Sequence, residues 1–377
     1  MYEDHERALK ALASRGRLRT LAPRRGVDFS SNDYLGLGSS DELAGAISAA
    51  IGRGVPVGAG GSRLLRGNDP EHEALEQDAA RFFGGESALY MGGGFAANTA
   101  IFSVLPQRGD LIVHDELIHA SAHDGMRLSK ADRVAVAHND ADAFRDAICE
   151  WRNRGGTGRV WIAVESLYSM EGDLAPLASL DQLARETGAM LVIDEAHATG
   201  VFGPDGRGLG HDLEGEPHVM SLHTCGKALG VMGALIIGPR LLRDYLVNRA
   251  RPFIYATAPS PLMAAGVRSA LALSASAPER REVLHERIGI FGEALLRRCG
   301  VPATGTQIQP IIVKSDTKAV SIADALQRQG FDVRAVRPPT VPEGTARLRV
   351  SLTLNASAAD MLSLVDALSR DLQRSEP

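Results

Sequence analysis

The sequence predicts an α/β protein built around a mostly parallel sheet. Short, fully apolar segments such as Val160 to Val164 and Met190 to Ile193 are typical of strands buried on both faces. Between them, segments such as Asp140 to Arg152 place apolar residues at helical spacing. Glycine makes up 40 of the 377 residues, which favours many tight turns and close backbone–ligand approaches. Buried strands that alternate with amphipathic helices predict a sheet covered by helices on both faces.

The composition excludes several classes of protein. The formal net charge is −5, so the basic excess of a nucleic-acid-binding protein is missing. Cys149, Cys225 and Cys299 are too few and too scattered for a disulfide framework or a zinc ribbon. The charged N-terminus does not resemble a signal peptide, and the most apolar stretch, 230–238, is too short to cross a bilayer. We expect a cytoplasmic protein with no nucleic-acid or membrane partner.

The elements of the larger predicted domain follow one another in a regular order. Strands are predicted at 88–91, 110–114, 160–164, 190–193, 219–223 and 234–237, and helices at 71–83, from 94 onward, at 140–152 and after a capping box at Ser179 to Gln182.

A change of pattern near residue 250 predicts a smaller α+β domain. A long helical stretch at 262–299 is followed by strands at 308–313, 333–336 and 348–352 and by helices at 319–329 and 358–373. We therefore divide the chain into an N-terminal segment (1–40), a large domain (41–250) and a small C-terminal domain (251–377).

Asp194 is the first candidate functional residue. It directly follows the apolar strand at 190–193, and ligands of such sheets bind beyond the carboxyl ends of the strands. A buried carboxylate is costly unless it meets a cation or hydrogen-bond donors. Asp194 therefore either fixes a cationic ring nitrogen or caps a following helix.

Lys227 follows another predicted strand, within the segment Thr224-Cys225-Gly226-Lys227. The segment lacks the frame of a phosphate-binding P-loop. A lysine beside small residues and an apolar wall can serve as an amine nucleophile, although an exposed loop lysine has the same local sequence. The proximity of Asp194 in the predicted sheet favours the functional interpretation.

Two glycines, Gly92 and Gly94, open the helix that follows the strand at 88–91. Backbone N–H groups at that helix start favour an anion. The same segment, through Ala97, also fits the G-x-G-x-x-A fingerprint of dinucleotide-binding proteins, with Asp115 as its acid. A nicotinamide-dependent dehydrogenase is thus one alternative.

Two further pairs have two interpretations each. His119 and His123 are four residues apart, but the H-E-x-x-H pattern is absent, so no metal is predicted and a histidine stacked on a ligand ring is favoured. Arg347 and Arg349 share one face of a predicted strand, where they either bind a carboxylate or face solvent.

Taken together, these features resemble the fold type I transferases that use pyridoxal 5′-phosphate (PLP), and within them the α-oxoamine synthases. The resemblance extends from about residue 8 to 372. The motifs that carry it are SNDYLGL (31–37), GFAAN (94–98), SMEGD (169–173), DEAHATG (194–200), Gly226-Lys227 and RPPTVPEGTARLR (337–349).

The resemblance implies catalytic roles for three residues. Lys227 would hold PLP covalently and later move the α-proton of the substrate, Asp194 would pair with the pyridinium nitrogen, and His119 would stack on the ring. The remaining implied cofactor residues are His197 and Ser169 near the phenolic oxygen, Gly94, Phe95 and Thr224 on the phosphate side, and Thr257, which would reach the phosphate of a neighbouring subunit. The implied substrate-binding residues are Arg349, Asn32, Arg19 and Thr340, besides His119.

The resemblance also implies the reaction and the assembly. L-Alanine would condense with a pimeloyl thioester, carried by CoA or by a carrier protein, with loss of CO2 and of the thiol. The active site would lie at the interface of a homodimer. Three alternatives remain: the same chemistry with glycine or serine and another acyl-CoA, the dehydrogenase above, and a non-catalytic relative.

Overall fold

The computed structural model describes residues 1–373; the last four residues of the predicted small domain, 374–377, lie outside the described residues. The helices of the described chain are α1 (Glu3–Ser14), α2 (Asp41–Gly52), α3 (Pro70–Phe83), α4 (Gly94–Val104), α5 (Ala120–Leu128), α6 (Ala141–Asn153), α7 (Leu177–Thr187), α8 (Arg240–Arg249), α9 (Arg251–Ile254), α10 (Pro261–Ser276), α11 (Pro278–Cys299), α12 (Asp316–Arg328) and α13 (Ala358–Gln373).

The strands are β1 (Val27–Asp28), β2 (Ser87–Met91), β3 (Leu111–Asp115), β4 (Asp132–Val136), β5 (Val160–Glu165), β6 (Met190–Asp194), β7 (Val219–Thr224), β8 (Ala234–Gly238), β9 (Ile308–Lys314), β10 (Phe331–Asp332), β11 (Arg334–Val336) and β12 (Ala346–Ser351). They divide among three sheets of seven, three and two strands.

The chain folds into two compact units. The larger unit contains Leu35–Ser169 and Leu174–Arg281, and the smaller contains Met1–Tyr34, Met170–Asp173 and the chain from Glu282 onward. The division differs from the predicted one at both ends. The smaller unit includes the N-terminal segment because β1 pairs with β10 and because Ser351 donates a backbone hydrogen bond to Phe29.

The structure also places the second boundary later than predicted, after Arg281 rather than near residue 250. The prolines at 259 and 261 do not end the larger unit, since Pro261 occupies the first turn of α10, where a missing N–H costs nothing. Helix α10 then packs against α2 and α3 and buries Val267 and Leu271 within the larger unit. The residues from 251 to 281 therefore belong to the larger unit.

The sheet of the larger unit has the strand order β2-β8-β7-β6-β5-β3-β4. Strand β8 runs antiparallel to both of its neighbours, and all other neighbouring pairs are parallel. The predicted α/β class with a mostly parallel central sheet is confirmed.

Alternate residues of the central strands enter two separate cores. On β5, Trp161 and Ala163 pack with α4 and α5, while Ile162 and Val164 pack with α6 and α7. Because successive side chains of a strand point to opposite faces, this pattern places helices on both sides of the sheet. The fully apolar sequence of these strands follows from their burial on both faces.

The smaller unit is an α+β arrangement. Strands β11, β12 and β9 form an antiparallel sheet with β12 in the centre, and α12 packs on it and on α13. The short parallel pair of β1 and β10 joins the N-terminal segment to this unit.

Two local predictions are wrong. Helix α7 begins at Leu177 with Pro176 at the N-cap position, so Ser179 lies within the first turn of the helix rather than at its cap. The helical stretch at 262–299 is two helices, which Ala277 separates with a non-helical backbone conformation.

In the part of the chain that the structure describes, every helix is too short or too polar to cross a bilayer.

Candidate active site

The carboxyl ends of four parallel strands place polar residues along one edge of the large sheet. Strands β3, β5 and β6 end at Asp115, Glu165 and Asp194, and β7 ends at Thr224. Glu165 and Asp194 are register partners on neighbouring strands. This edge is where ligands bind in open α/β sheets.

Asp194 is held by donors on two sides. Its Oδ2 accepts a hydrogen bond of 2.7 Å from Nδ2 of Asn98, and its Oδ1 accepts one of 2.9 Å from the backbone N–H of Ala196. Only 8% of the residue is exposed. The chain continues into turns rather than a helix, so the helix-cap interpretation does not apply. These two hydrogen bonds fix the direction of the buried carboxylate.

A chain of hydrogen bonds joins Asp194 to His119. Nδ2 of Asn98 also donates to the Ser121 hydroxyl over 3.0 Å, and that hydroxyl lies 2.7 Å from Nδ1 of His119. Nδ1 also accepts from the backbone N–H of Ser121. Because Nδ1 is an acceptor here, the ring is neutral and carries its proton on Nε2.

This chain depends on a close approach of two helices. His119 is the N-cap of α5, and Asn98 lies on α4. A Cβ on Gly125 would come within 2.9 Å of the Asn98 carbonyl oxygen and 3.0 Å of the Phe102 Cβ. The missing side chain at Gly125 therefore lets α4 and α5 approach closely enough for Asn98 and Ser121 to meet.

Lys227 lies in the turn after β7 and is half-buried. Desolvation in this site lowers the pKa of His119, the Lys227 ammonium lowers it further, and the Asp194 carboxylate opposes the shift. All three groups therefore act on one another at the same strand ends. Lys227 is not an exposed loop lysine, which was the alternative left by the sequence.

Gly94 and Thr224 meet at the start of α4. A Cβ on Gly94 would lie 2.7 Å from Cγ2 of Thr224, and the Thr224 hydroxyl donates to the Ala196 carbonyl over 3.2 Å. Next to them the ring of Phe95 is 55% exposed. The first backbone N–H groups of α4 have no partner within the helix, as an anion site requires.

The remaining predicted cofactor residues of the larger unit differ in burial. His197, three residues after Asp194, and Ser169, four residues after Glu165, are buried. The backbone N–H of Ser169 donates to Glu165 over 3.1 Å. Thr257 is exposed in the single chain, in the segment that follows α9.

The topology argues against the dinucleotide-binding alternative. Strand β2, which precedes Gly92, is at the edge of the sheet and pairs only with the antiparallel β8. A dinucleotide fold needs a parallel βαβ unit at this point. Asp115 accepts hydrogen bonds from His138 and from the backbone of Leu117 and so has its own partners.

The two arginines of the smaller unit are buried and differ in their partners. Nη1 of Arg347 lies 2.8 Å from the Glu171 carboxylate. Arg349 donates to the Ser351 hydroxyl over 2.7 Å and to the Asn32 amide oxygen over 3.0 Å. Both lie on the central strand of their sheet, so the solvent-facing interpretation is wrong. Arg347 thus forms an ion pair with Glu171, and Arg349 is oriented by its hydrogen bonds to Ser351 and Asn32.

The other predicted substrate residues also lie in the smaller unit. Arg19 donates to the Thr340 hydroxyl over 3.2 Å. The amide oxygen of Asn32 accepts from the Tyr34 hydroxyl as well as from Arg349. The four predicted residues thus form two contacting pairs.

Among residues 1–373, no cluster of three or more His, Cys, Asp or Glu side chains is arranged to hold a metal ion. His119 and His123, the pair considered as metal ligands, make different contacts. His119 caps α5, and the ring of His123 packs edge-on against His114 at 5.0 Å between centroids.

Comparison with known proteins assigns the family. The model for class I and II aminotransferases matches residues 24–368. The 8-amino-7-oxononanoate synthase of Chromobacterium violaceum is 42% identical over 346 residues, which cover 91% of this chain and 88% of that protein. The chain belongs to the 8-amino-7-oxononanoate synthase family. The relative from Geobacter sulfurreducens is 39% identical and covers 97% of this chain and 93% of its own.

Solved structures agree with this family. The 8-amino-7-oxononanoate synthase of Francisella tularensis matches with a TM-score of 0.76 and 27% identity, over 93% of this chain and 98% of that chain. The serine palmitoyltransferase of Sphingomonas wittichii matches with a TM-score of 0.88 and 25% identity, over 99% and 97%. The predicted fold type I transferase architecture is confirmed.

The family consists of PLP-dependent acyltransferases, and the residues present fit that cofactor. Asp194 supplies an ionised carboxylate for a protonated ring nitrogen, and Lys227 supplies an amine. The backbone N–H groups at the start of α4 supply donors for a phosphate, and the Thr224 hydroxyl would join them on turning away from the Ala196 carbonyl. The one carboxylate of this set, Asp194, is assigned to the cationic ring nitrogen and not to the phosphate.

Sequence reasoning missed two residues of this site. Asn98 stands within a quoted motif but received no role, and Ser121 was not singled out. The signal for Asn98 is a polar residue on the buried side of an otherwise apolar helix, one turn after Gly94. Ser121 gave no such signal, because a serine near a helix start is usually a simple cap.

Proposed function

We propose that the protein condenses L-alanine with a pimeloyl thioester, releasing CO2 and the thiol and forming 8-amino-7-oxononanoate. The observation that carries the proposal is the Asp194 carboxylate, fixed by Asn98 and Ala196 in the same charged cluster as Lys227. Bound PLP supplies a ring that accepts the electron pair left on the amino acid's α-carbon.

Asp194 would keep the ring nitrogen protonated. Its own charge is stabilised by two donors, so it can pair with a cation without taking the proton itself. This arrangement makes the ring a better electron acceptor. His119, held neutral by its contacts to Ser121, would pack against the ring without adding a competing positive charge.

Lys227 would hold the cofactor and move the α-proton of alanine at its Nζ. An amine moves a proton in this way in its neutral form. On the phosphate side, Gly94, Phe95 and Thr224 would supply backbone and hydroxyl donors. His197 and Ser169 would lie near the phenolic oxygen, where their donors would fix the ring's orientation.

Arg349 would bind the carboxylate of alanine. Its guanidinium is oriented by Ser351 and Asn32, and a guanidinium held in one plane suits a carboxylate. Asn32, Arg19 and Thr340 would contact the substrates around it. When the carboxylate leaves as CO2, Arg349 would lose its anionic partner, which favours release of the product.

The proposal is tested by incubating the PLP-loaded protein with labelled alanine and pimeloyl-CoA or a pimeloyl carrier protein. Mass spectrometry should find the label in 8-amino-7-oxononanoate. Parallel reactions with glycine or serine and with acetyl, succinyl and long acyl thioesters identify the related activities. Faster thiol release with one of those pairs than with alanine and the pimeloyl thioester contradicts the proposal.

We also propose that the protein acts in the cytoplasm as a homodimer. Two neighbouring segments, around residues 57–65 and 255–258, are joined by a hydrogen bond from the backbone N–H of Ala258 to the Gly61 carbonyl. Both segments expose apolar side chains, namely Val57, Leu64, Leu65 and Tyr255. A patch of this kind is typical of a surface that another chain covers. Thr257 lies in the second segment, which supports its contact with the neighbouring subunit. Sedimentation at micromolar concentration should give the mass of a dimer, and a monomer would contradict it.

A further inference from the structure

A histidine within the larger unit is completely enclosed. His223 lies on β7 directly before Thr224 and has no exposed surface. Its ring stacks on Phe83 with 3.7 Å between centroids and 24° between planes. A buried imidazole needs hydrogen-bond partners for both nitrogens, and both are present.

The first nitrogen contacts Thr199. Nδ1 of His223 lies 2.8 Å from the Thr199 hydroxyl oxygen, and that hydroxyl donates to the Glu195 carbonyl over 2.8 Å. A hydroxyl has one hydrogen and a carbonyl can only accept. The hydrogen of Thr199 is therefore used, so Nδ1 must be the donor in its contact with Thr199.

The second nitrogen contacts a serine and a glutamate. Nε2 lies 2.9 Å from the Ser221 hydroxyl oxygen and 3.1 Å from Oε1 of Glu214. The Ser221 hydroxyl itself donates to Glu214 over 2.5 Å. The Glu214 side chain at this contact is 3% exposed.

The ring connects the two chain segments that carry the cofactor residues. Thr199 lies in the turn after β6, five residues beyond Asp194, and its backbone N–H also donates to Glu195. On the other side, Thr224 and Lys227 follow His223 directly. We propose that His223, held at Nδ1 by Thr199 and at Nε2 by Ser221 and Glu214, is a positioning residue that ties the Asp194 turn to the end of β7.

The inference rests on the proposed roles of Asp194 and Lys227. A displacement of either segment by a fraction of an ångström separates the ring-nitrogen partner from the phosphate and amine sites. Binding and proton transfer both depend on that geometry. Loss of the tie should therefore weaken cofactor binding more than it weakens the fold.

Thr199→Val tests the tie and Thr187→Val is its matched control. Both threonines donate to a carbonyl four residues earlier, over 2.8 Å and 2.7 Å, but Thr187 lies at the end of α7, away from the site. The measurements are the Kd of PLP for the apoprotein and the thermal midpoint of the apoprotein. We expect Thr199→Val to raise the Kd at least tenfold and Thr187→Val to change it less than twofold, with similar midpoints for the two variants.

Two substitutions of Glu214 test the other side of the ring. Glu214→Ala removes the oxygen that contacts Nε2, whereas Glu214→Gln keeps an amide oxygen there. We expect Glu214→Ala to raise the Kd of PLP at least tenfold and Glu214→Gln to leave it near that of the wild type. This pair also decides the matter if Thr199→Val does not fold.

Two results would overturn the inference: a Kd for Thr199→Val equal to that for Thr187→Val, or a Kd for Glu214→Ala equal to that for Glu214→Gln. Either result leaves the proposed function intact, provided that the wild-type apoprotein binds PLP. Failure of the wild type to bind PLP contradicts the proposed function instead.

Discussion

At the scale of single residues, the roles proposed for Arg349 and Arg347 can be tested separately, as substrate binding and stability. They lie two positions apart on β12, and both are buried. We expect Arg349→Gln to raise the KM for alanine about 10- to 100-fold, because a charge-assisted hydrogen-bond pair contributes about 1.5–3 kcal/mol. Steady-state kinetics with alanine as the varied substrate measure this.

Arg347→Gln is the matched control. It leaves Glu171 without its cation, so we expect a loss of about 3 kcal/mol in the free energy of unfolding and a nearly unchanged KM for alanine. Should the two variants shift the KM for alanine equally, Arg349 would not be the carboxylate-binding residue.

The same pair shows what the sequence could predict about individual residues. Period-two alternation correctly put both guanidinium groups on one face of a strand. It could not distinguish them, because the distinguishing partner, Glu171, is 176 residues away in sequence from Arg347. Asn98 was missed for a similar reason: its role exists only where α4 approaches α5 and the end of β6.

At the scale of elements, the start of α4 and the end of β7 lie so close together that an added side-chain atom at Gly94 would collide with Thr224. A Cβ at Gly94 would come within 2.7 Å of Cγ2 of Thr224, whereas a Cβ at Gly92 would meet nothing within 4 Å. Overpacking of this kind costs about 1–3 kcal/mol. We expect Gly94→Ala to weaken PLP binding about tenfold or more and Gly92→Ala to leave it unchanged, as measured by titration of the apoprotein.

The double variant Gly94→Ala/Thr224→Ser identifies the cause. Serine keeps the hydroxyl but removes Cγ2, so the double variant should regain most of the lost affinity. If it binds PLP no better than Gly94→Ala, the steric explanation is wrong.

Strand positions were easier to predict than helix ends. A strand buried on both faces, such as β5 or β6, is an unbroken apolar run that ends at its first charged residue. The start of α7 was misplaced because Ser179-x-x-Gln182 fits a capping box, yet the helix had already begun at Leu177. Cap patterns describe local preference, and packing of Leu180 and Leu183 into the core set the actual helix.

At the scale of the whole molecule, buried histidines make stability depend on pH. Burial lowers the pKa of His72, His114 and His123 below their ordinary value of 6.5. The unfolded chain therefore binds more protons than the folded one as the pH falls through 6.5, so stability should decrease in that range. Burial lowers the pKa of His119 as well, whereas burial raises the pKa of Glu195, so four histidines act in one direction and one carboxyl group acts in the other.

Denaturant unfolding at several pH values between 8 and 5.5 measures this dependence. The double variant His114→Gln/His123→Gln should show a shallower loss of stability than the wild type. A wild-type stability that rises on acidification through this range would contradict the assignment of neutral buried imidazoles.

The division of the chain was the least predictable feature at this scale. The break at Pro259 to Pro261 is strong local evidence for a boundary, and the structure nevertheless continues the larger unit through α10. Apolar residues at helical spacing identify α10 as a buried helix, but they do not say which neighbours it packs against. The pairing of β1 with β10, more than 300 residues apart, was likewise invisible in one sequence.

The most direct test of the account is to locate the amine that holds the cofactor. The chain has five lysines, Lys10, Lys130, Lys227, Lys314 and Lys318, so borohydride reduction of the PLP-loaded protein followed by peptide mass spectrometry gives an unambiguous answer. We predict that the added mass of the reduced cofactor is found on the peptide containing Lys227 and is absent from Lys227→Ala. The same mass on another lysine, or on none, would contradict the account.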